Sequence, residues 1–201
     1  MASFTPSKIL IFGGTGTIGS YITYSLLHAK PPFPQIVLFT SPGTASSKAD
    51  QINKWKSEGL SVIVGDLTSE ADVVAAYEGV DTVISAVGRG GLQHQIQLLR
   101  LAEASDSVRW FLPSEFGTDI EYDPETSPNE RPHQLKLKVR KYVREHIKRL
   151  HVTYVVTGPY FDMWLNPAPG AEVAGGFTAA EKKAYLIGDG NGKVGFCTMP
   201  E

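Results

Sequence analysis

The 201-residue chain is 42% hydrophobic and carries 19 basic against 21 acidic side chains, a formal charge of -2. That is enough apolar material for one domain, or one domain with part of another, and a charge balance that gives nucleic acid or an anionic membrane no electrostatic footing. With Cys197 its single cysteine, no basic N-terminal segment leading into a long apolar run, and no stretch near the roughly 20 apolar residues of a membrane span, the expected location is cytoplasmic.

The apolar run Ile9-Leu10-Ile11-Phe12 predicts a buried strand. It runs into Gly13-Gly14-Thr15-Gly16-Thr17-Ile18-Gly19, and Ile18, Ile22, Leu26 and Ala29 then recur at helical spacing until Lys30-Pro31-Pro32 stops the helix. A second strand, Ile36-Val37-Leu38-Phe39, completes a βαβ unit. The alternation continues with a polar helix around Ala49 to Lys56, a strand from Leu60 to Val64 and a helix from Glu70 to Tyr77, with Ser69 and Asp72 as a capping pair. Next come the strand Thr82 to Ala86, a glycine-rich turn at Gly88 to Gly91, and a helix carrying Ile96, Leu99 and Ala102 or Glu103. Strand five reads Val108 to Leu112 and strand six Thr153 to Val156.

Between those two strands, Asp119 to Pro132 reads as a loop. A long basic helix follows, with Leu135, Val139, Tyr142 or Val143, His146 and Leu150 on one face. The pattern predicts an α/β, Rossmann-like, doubly wound parallel sheet over residues 1–157, with all strand carboxyl ends on the ligand-binding edge. After Thr157, prolines and glycines, among them Pro159, Pro167, Pro169 and Gly170, break up the pattern; residues 158–201 read as the start of a smaller substrate-binding region.

A strand that turns sharply into a helix, with glycines allowing the turn and the close approach of a pyrophosphate to free N–H groups, is a dinucleotide site. The expected grip is Gly13, Thr15, Gly16, Thr17, Ile18 and Gly19. Sites preferring NAD usually place an acidic residue about 20 positions on, to take the ribose 2′-hydroxyl. Here Ser20 to Ala49 holds no acid, and Thr40, Ser41 and Lys48 offer small hydroxyls and a cation for a 2′-phosphate, so NADP(H) is the expected cofactor. Asp66 has two readings, contact with the adenine edge or a cap on the next helix. Small residues at the end of strand four, Ser85-Ala86-Val87-Gly88, leave room for a ribose.

Two residues could carry chemistry. Ser114, at the end of strand five, reaches the ligand edge and either orients the reacting groups or turns the loop. Lys136 lies in the first turns of the basic helix, where desolvation and like charge would suit it to general acid–base work. Lys138, Arg140, Lys141, Arg144, Lys148 and Arg149 read as a solvated face. The histidines lack metal-ligand spacing, no GxSxG elbow is present, and the Tyr-x-x-x-Lys pair of many dehydrogenases is missing, since Tyr122 is followed at that offset by Thr126.

Gly13 to Gly19, Phe111-Leu112-Pro113-Ser114-Glu115-Phe116-Gly117 and Lys136-Leu137-Lys138-Val139-Arg140 together resemble the NmrA-like, isoflavone-reductase-like family, an atypical branch of the short-chain dehydrogenases, with fungal members looking closest. The resemblance implies an NADPH-dependent reductase of a small aromatic or polyketide-like secondary metabolite, with the family's catalytic lysine at Lys136. Its rival implication is an NADP(H)-sensing regulator that works through a protein partner without catalysis, or a form with no activity. The family's arginine after strand two is Thr40 here. Members are longer than this chain, so the elements closing the substrate pocket would follow Pro200. A monomer or homodimer is expected.

Overall fold

The computed structural model describes residues 4–122, 130–165, 175–186 and 188–200. Residues 123–129 of the expected loop, and Pro167, Pro169 and Gly170, lie outside them. Two compact units are present: Met1–Glu115 with Ile120–Val155, and Phe116–Asp119 with Val156–Glu201.

The first unit holds a six-stranded parallel sheet: β1 Lys8–Phe12, β2 Gln35–Thr40, β3 Ser61–Val64, β4 Thr82–Ser85, β5 Trp110–Leu112 and β6 His151–Val152. The spatial order β3-β2-β1-β4-β5-β6 is the doubly wound order, with its reversal between β1 and β4. Phe12 lies beside both Phe39 of β2 and Ser85 of β4, so these three strand ends finish level. The helices are α1 Thr17–Leu27, α2 Pro42–Ser47, α3 Ala49–Ser57, α4 Glu70–Ala76, α5 Gln95–Ala104 and α6 Arg131–His146.

Period-two alternation gives the sheet two apolar faces. Leu10, Phe12, Val37, Phe39, Val83 and Phe111 pack in one cluster with Val73 and Tyr77 of the α4 end, Leu98 and Leu99 of α5, and Val139 of α6. Phe12 anchors it, 5.0 Å from the Phe39 ring and edge-on to Tyr77 at 6.1 Å. Tyr77 donates to the Leu98 carbonyl at 3.0 Å, which satisfies a hydroxyl whose pKa burial pushes up. On the opposite face, Ile11 and Leu38 pack close to Gly14 in the turn before α1, beside Thr23 of α1.

Several elements differ from the sequence expectations. In α1 the fully buried residues are Gly19 and Thr23, while Ile18 and Ile22 are half-buried. The helix start lies so close to β1 that only its small face fits. The polar stretch after β2 contains α2, because Ser41 accepts from the Thr44 N–H at 3.2 Å and Pro42 follows as the first helical residue. Strand β6, His151–Val152, ends before the expected Thr153–Val156, of which only Val156 makes an isolated bridge, to Gly117. Helix α6 stops at His146, which is exposed and stacks on Tyr142 at 4.7 Å; Leu150 is buried beyond the helix rather than on its face.

In the second unit, β7 Gly176–Thr178 and β8 Lys183–Tyr185 form an antiparallel pair. Phe161, Trp164, Phe177 and Phe196 contact one another at 6.0 to 6.4 Å and line an apolar groove of about 480 Å³. Among the described residues, no helix is long and apolar enough to cross a membrane.

Candidate active site

The glycine motif is a tight turn from β1 into α1. Gly13 has φ 73°, and a Cβ there would come within 2.5 Å of the Ala86 carbonyl oxygen and 2.8 Å of the Val87 nitrogen at the end of β4. A Cβ on Gly19 would overlap the Gly13 carbonyl oxygen, which accepts from the Gly16 N–H at 3.0 Å. Thr23 donates to the Gly14 carbonyl at 3.1 Å and ties the turn to the helix. At the head of α1, Gly16 provides no side-chain cap and the first turn has no acidic residue. The N–H groups there, on Thr17, Ile18 and Gly19, form a positive pole beside exposed backbone, as an anion site requires.

At the end of β2, Thr40 is buried and its carbonyl accepts from the Gly65 N–H at 3.0 Å. Ser41 caps α2, its hydroxyl also donating to Thr44 Oγ1 at 3.0 Å. Lys48 is exposed at the junction of α2 and α3. Of the two readings of Asp66, the cap belongs instead to Ser69, which accepts from the Asp72 N–H at 3.3 Å. Asp66 is exposed and accepts from the Thr68 N–H and hydroxyl, both at 2.8 Å, bonds that hold its carboxyl below the usual range.

The β4 and β5 ends are joined through Ser114. Its hydroxyl donates to the Val87 carbonyl at 2.9 Å, and its N–H donates to Gln95 Oε1 at 2.6 Å. Gln95 and Ser85 are fully buried, and Gln95 Nε2 and Ser85 Oγ have no hydrogen-bond partner among the described residues. Ala86 donates its N–H to the Phe12 carbonyl at 2.8 Å, and Gly88 is exposed. Gln95 was missed in the sequence. Its signal was a polar residue three, four and seven places before Leu98, Leu99 and Ala102 on the buried stripe of α5.

Lys136 is half-buried and donates to the Glu115 carbonyl at 2.6 Å. Burial lowers its pKa, opposed by Glu115 and Glu130 and assisted by Arg140 and Arg89. The expected solvated face needs two corrections. Arg140 is buried against Glu115, Nε to Oε1 3.1 Å and Nη2 to Oε2 3.2 Å. Arg149 directs its guanidinium to the carbonyls of Ala102, Glu103 and Val108. Both cations found acceptors that spacing along one helix does not reveal.

The model of the NmrA-like family matches residues 5–171. The chain belongs to that family. Among curated relatives, it is 34% identical over 192 residues to phenylcoumaran benzylic ether reductase Pyrc5 of Pyrus communis, covering 94% of this chain and 60% of that protein. Among solved structures, it is similar to an isoflavone reductase, with TM-score 0.75, 25% identity and coverage of 98% and 62% of the two chains. A leucoanthocyanidin reductase of Vitis vinifera, solved with NADPH, gives TM-score 0.68 and 26% identity over 77% of this chain and 50% of that one. The chain therefore spans about 60% of the length of the curated relatives it matches.

Proposed function

We propose that this chain is the cofactor-binding part of an NADPH-dependent reductase of a small aromatic metabolite. The observation that carries the reading is Lys136, an amine partly withdrawn from water and held at the end of β5, on the same edge of one sheet as the uncapped glycine turn. The relatives are named for isoflavone and phenylcoumaran reduction, and one was solved with NADPH, which supports both the cofactor and the substrate class.

The residues fit the cofactor. Gly13 and Gly19 permit the tight turn, since a Cβ on either would strike neighbouring backbone, Gly16 leaves the head of α1 exposed, and the first-turn N–H groups of Thr17, Ile18 and Gly19 would face a pyrophosphate. Thr40, Ser41 and Lys48 would receive the 2′-phosphate, with no carboxylate between Ser20 and Ala49 to repel it. Asp66 has its side chain turned to Thr68, so an adenine contact would be made at its edge. Ser85, Ala86, Val87 and Gly88 would border the nicotinamide ribose. When bound, the nicotinamide supplies hydride. Lys136 would then give a proton to the substrate oxygen that receives the displaced electron pair, and Ser114, whose proton is committed to Val87, holds the β4 end in place. Within the second unit, Phe161, Trp164, Phe177 and Phe196 line an apolar groove of a kind that suits an aromatic ring.

Fluorescence titrations with NADPH and NADH, side by side, test the cofactor assignment. NADPH is expected to bind about 10-fold tighter or more, a difference of about 1.4 kcal/mol; a preference for NADH, or binding of neither, overturns it. Lys136→Ala is expected to bind NADPH normally and to lose turnover. Turnover that survives refutes the acid–base role. If no turnover is found, while NADP(H) alters association with a protein partner, the regulator reading replaces the enzyme.

A further inference from the structure

Lys136 and Arg140 lie one turn apart on α6, so their side chains leave the same face of the helix. Both end on Glu115, but on different parts of it. Arg140 grips the carboxylate through two nitrogens, with the two side chains 6% and 2% exposed, while Lys136 takes the main-chain carbonyl. The Arg140 guanidinium also stacks on the Tyr154 ring, 4.8 Å from its centroid, and donates to Glu121 at 3.1 Å. The turn that presents the Glu115 carbonyl is tight: the Glu115 N–H bonds back to the Pro113 carbonyl at 2.8 Å, and Phe116 follows at φ 31°, a sparsely populated conformation for a residue with a side chain. Such a turn persists only when its surroundings hold it.

We propose that the Glu115–Arg140 pair is the positioning element for Lys136, the guanidinium locking the turn whose carbonyl fixes the ammonium. The inference rests on the reading of Lys136 as the proton-handling group. A buried ion pair adds little net stability over apolar side chains, but its two-point geometry sets direction. A lysine head is a point charge on a flexible stem, and one short bond to a fixed acceptor is what gives it a defined place. The charged groups facing Lys136 are Glu115, Arg140, Glu130 before α6, and Arg89 after β4; Glu130 also meets His133 at 2.9 Å and Arg89 at 3.8 Å. None of the others grips the turn.

The test is lysine-selective isotope-labelled NMR of the full chain, with the Lys136 signal assigned by its loss in Lys136→Arg. In the parent protein the Lys136 Cε should be restrained beside mobile surface lysines. In Glu115→Gln and Arg140→Lys, Lys136 should become as mobile as those lysines. Arg140→Lys keeps the charge but not the two-point grip, so Lys136 still restrained in it and in Glu115→Gln overturns the proposal. If either single variant fails to fold, the paired Glu115→Gln/Arg140→Met change, which leaves no lone buried charge, must also free Lys136. On any substrate the protein reduces, the variants should lose about 10-fold or more in kcat with KM little changed. A freed Lys136 with kcat untouched leaves the positioning in place and refutes the proton-handling role. A loss confined to Lys136→Ala, with Lys136 still restrained in the Glu115 and Arg140 variants, does the reverse.

Discussion

A methyl group added at Gly19 would overlap the Gly13 carbonyl oxygen, and relieving the overlap means moving the first turn of α1 away from the Gly13–Gly14 backbone. Gly19→Ala is therefore expected to cost about 1–3 kcal/mol in thermal unfolding and to weaken NADPH binding in the same preparation. Gly43→Ala, inside α2 with nothing within 4 Å, should gain up to about 1 kcal/mol, because alanine loses less backbone freedom on folding. Lys136 gives a pH signature. Burial lowers its folded pKa beneath the ordinary 10.5, so between the two values the unfolded chain binds more protons and stability rises with pH. Lys136→Met should remove that alkaline rise in denaturation series run from neutral pH to 10.5. Residue types were the most legible level of the site. The glycines, Ser114 and Lys136 could be singled out because each marks a change in local pattern, at a strand-to-helix turn, at a strand end and at the head of a basic run. Arg140 did not, since a cation in a basic run looks the same whether it meets water or a carboxylate brought in by a distant loop. Gln95 and Glu115 share that difficulty, their partners being set by the sheet.

At the level of elements, Asp81 ties the strand starts together. Its carboxylate accepts from Ser7, from the Lys8 N–H at 3.1 Å and from the Thr82 hydroxyl at 2.8 Å, and its carbonyl takes the N–H groups of Arg109 and Trp110. Partial burial alone would raise its pKa, but the bonds from Ser7, Thr82 and Lys8 outweigh that and hold it below 3.8. A lowered carboxyl stabilises the fold above its ordinary value and ceases to as pH falls through the folded one. Asp81→Asn should thus cost roughly 1 kcal/mol at neutral pH, reduced by partial exposure, and the deficit should close under acid in parallel urea titrations. Ser69→Ala removes the α4 cap and should cost about 1 kcal/mol in the same assay. The β-then-α alternation was readable because buried parallel strands are continuous apolar runs between helical patterns. Helix faces were less so. Ile18 and Ile22 looked like the inward stripe of α1, but close approach to β1 favoured Gly19 and Thr23. The cap at Ser41 and the proline after it were visible signals of α2, obscured by a polar composition that also suits a phosphate loop.

For the molecule as a whole, the reversal between β1 and β4 opens the crevice beyond their carboxyl ends, and the glycine turn lies at its mouth. A ligand held there by the native state alone adds RT ln(1 + [L]/Kd) to stability, about 2.7 kcal/mol at a hundred times Kd. NADPH should therefore raise the melting temperature more than NADH at equal concentration, an outcome readable by scanning calorimetry even where no substrate is known. The packing of Gly13 against Ala86 and Val87 bears on how the protein is made. The glycine motif leaves the ribosome early, but the wall against which it is moulded comes only after β2, β3 and their helices have been synthesised. Until β4 pairs with β1, the motif lacks the Ala86 and Val87 backbone against which Gly13 is packed. A nucleotide held at this turn would therefore be captured only after the centre of the sheet has closed.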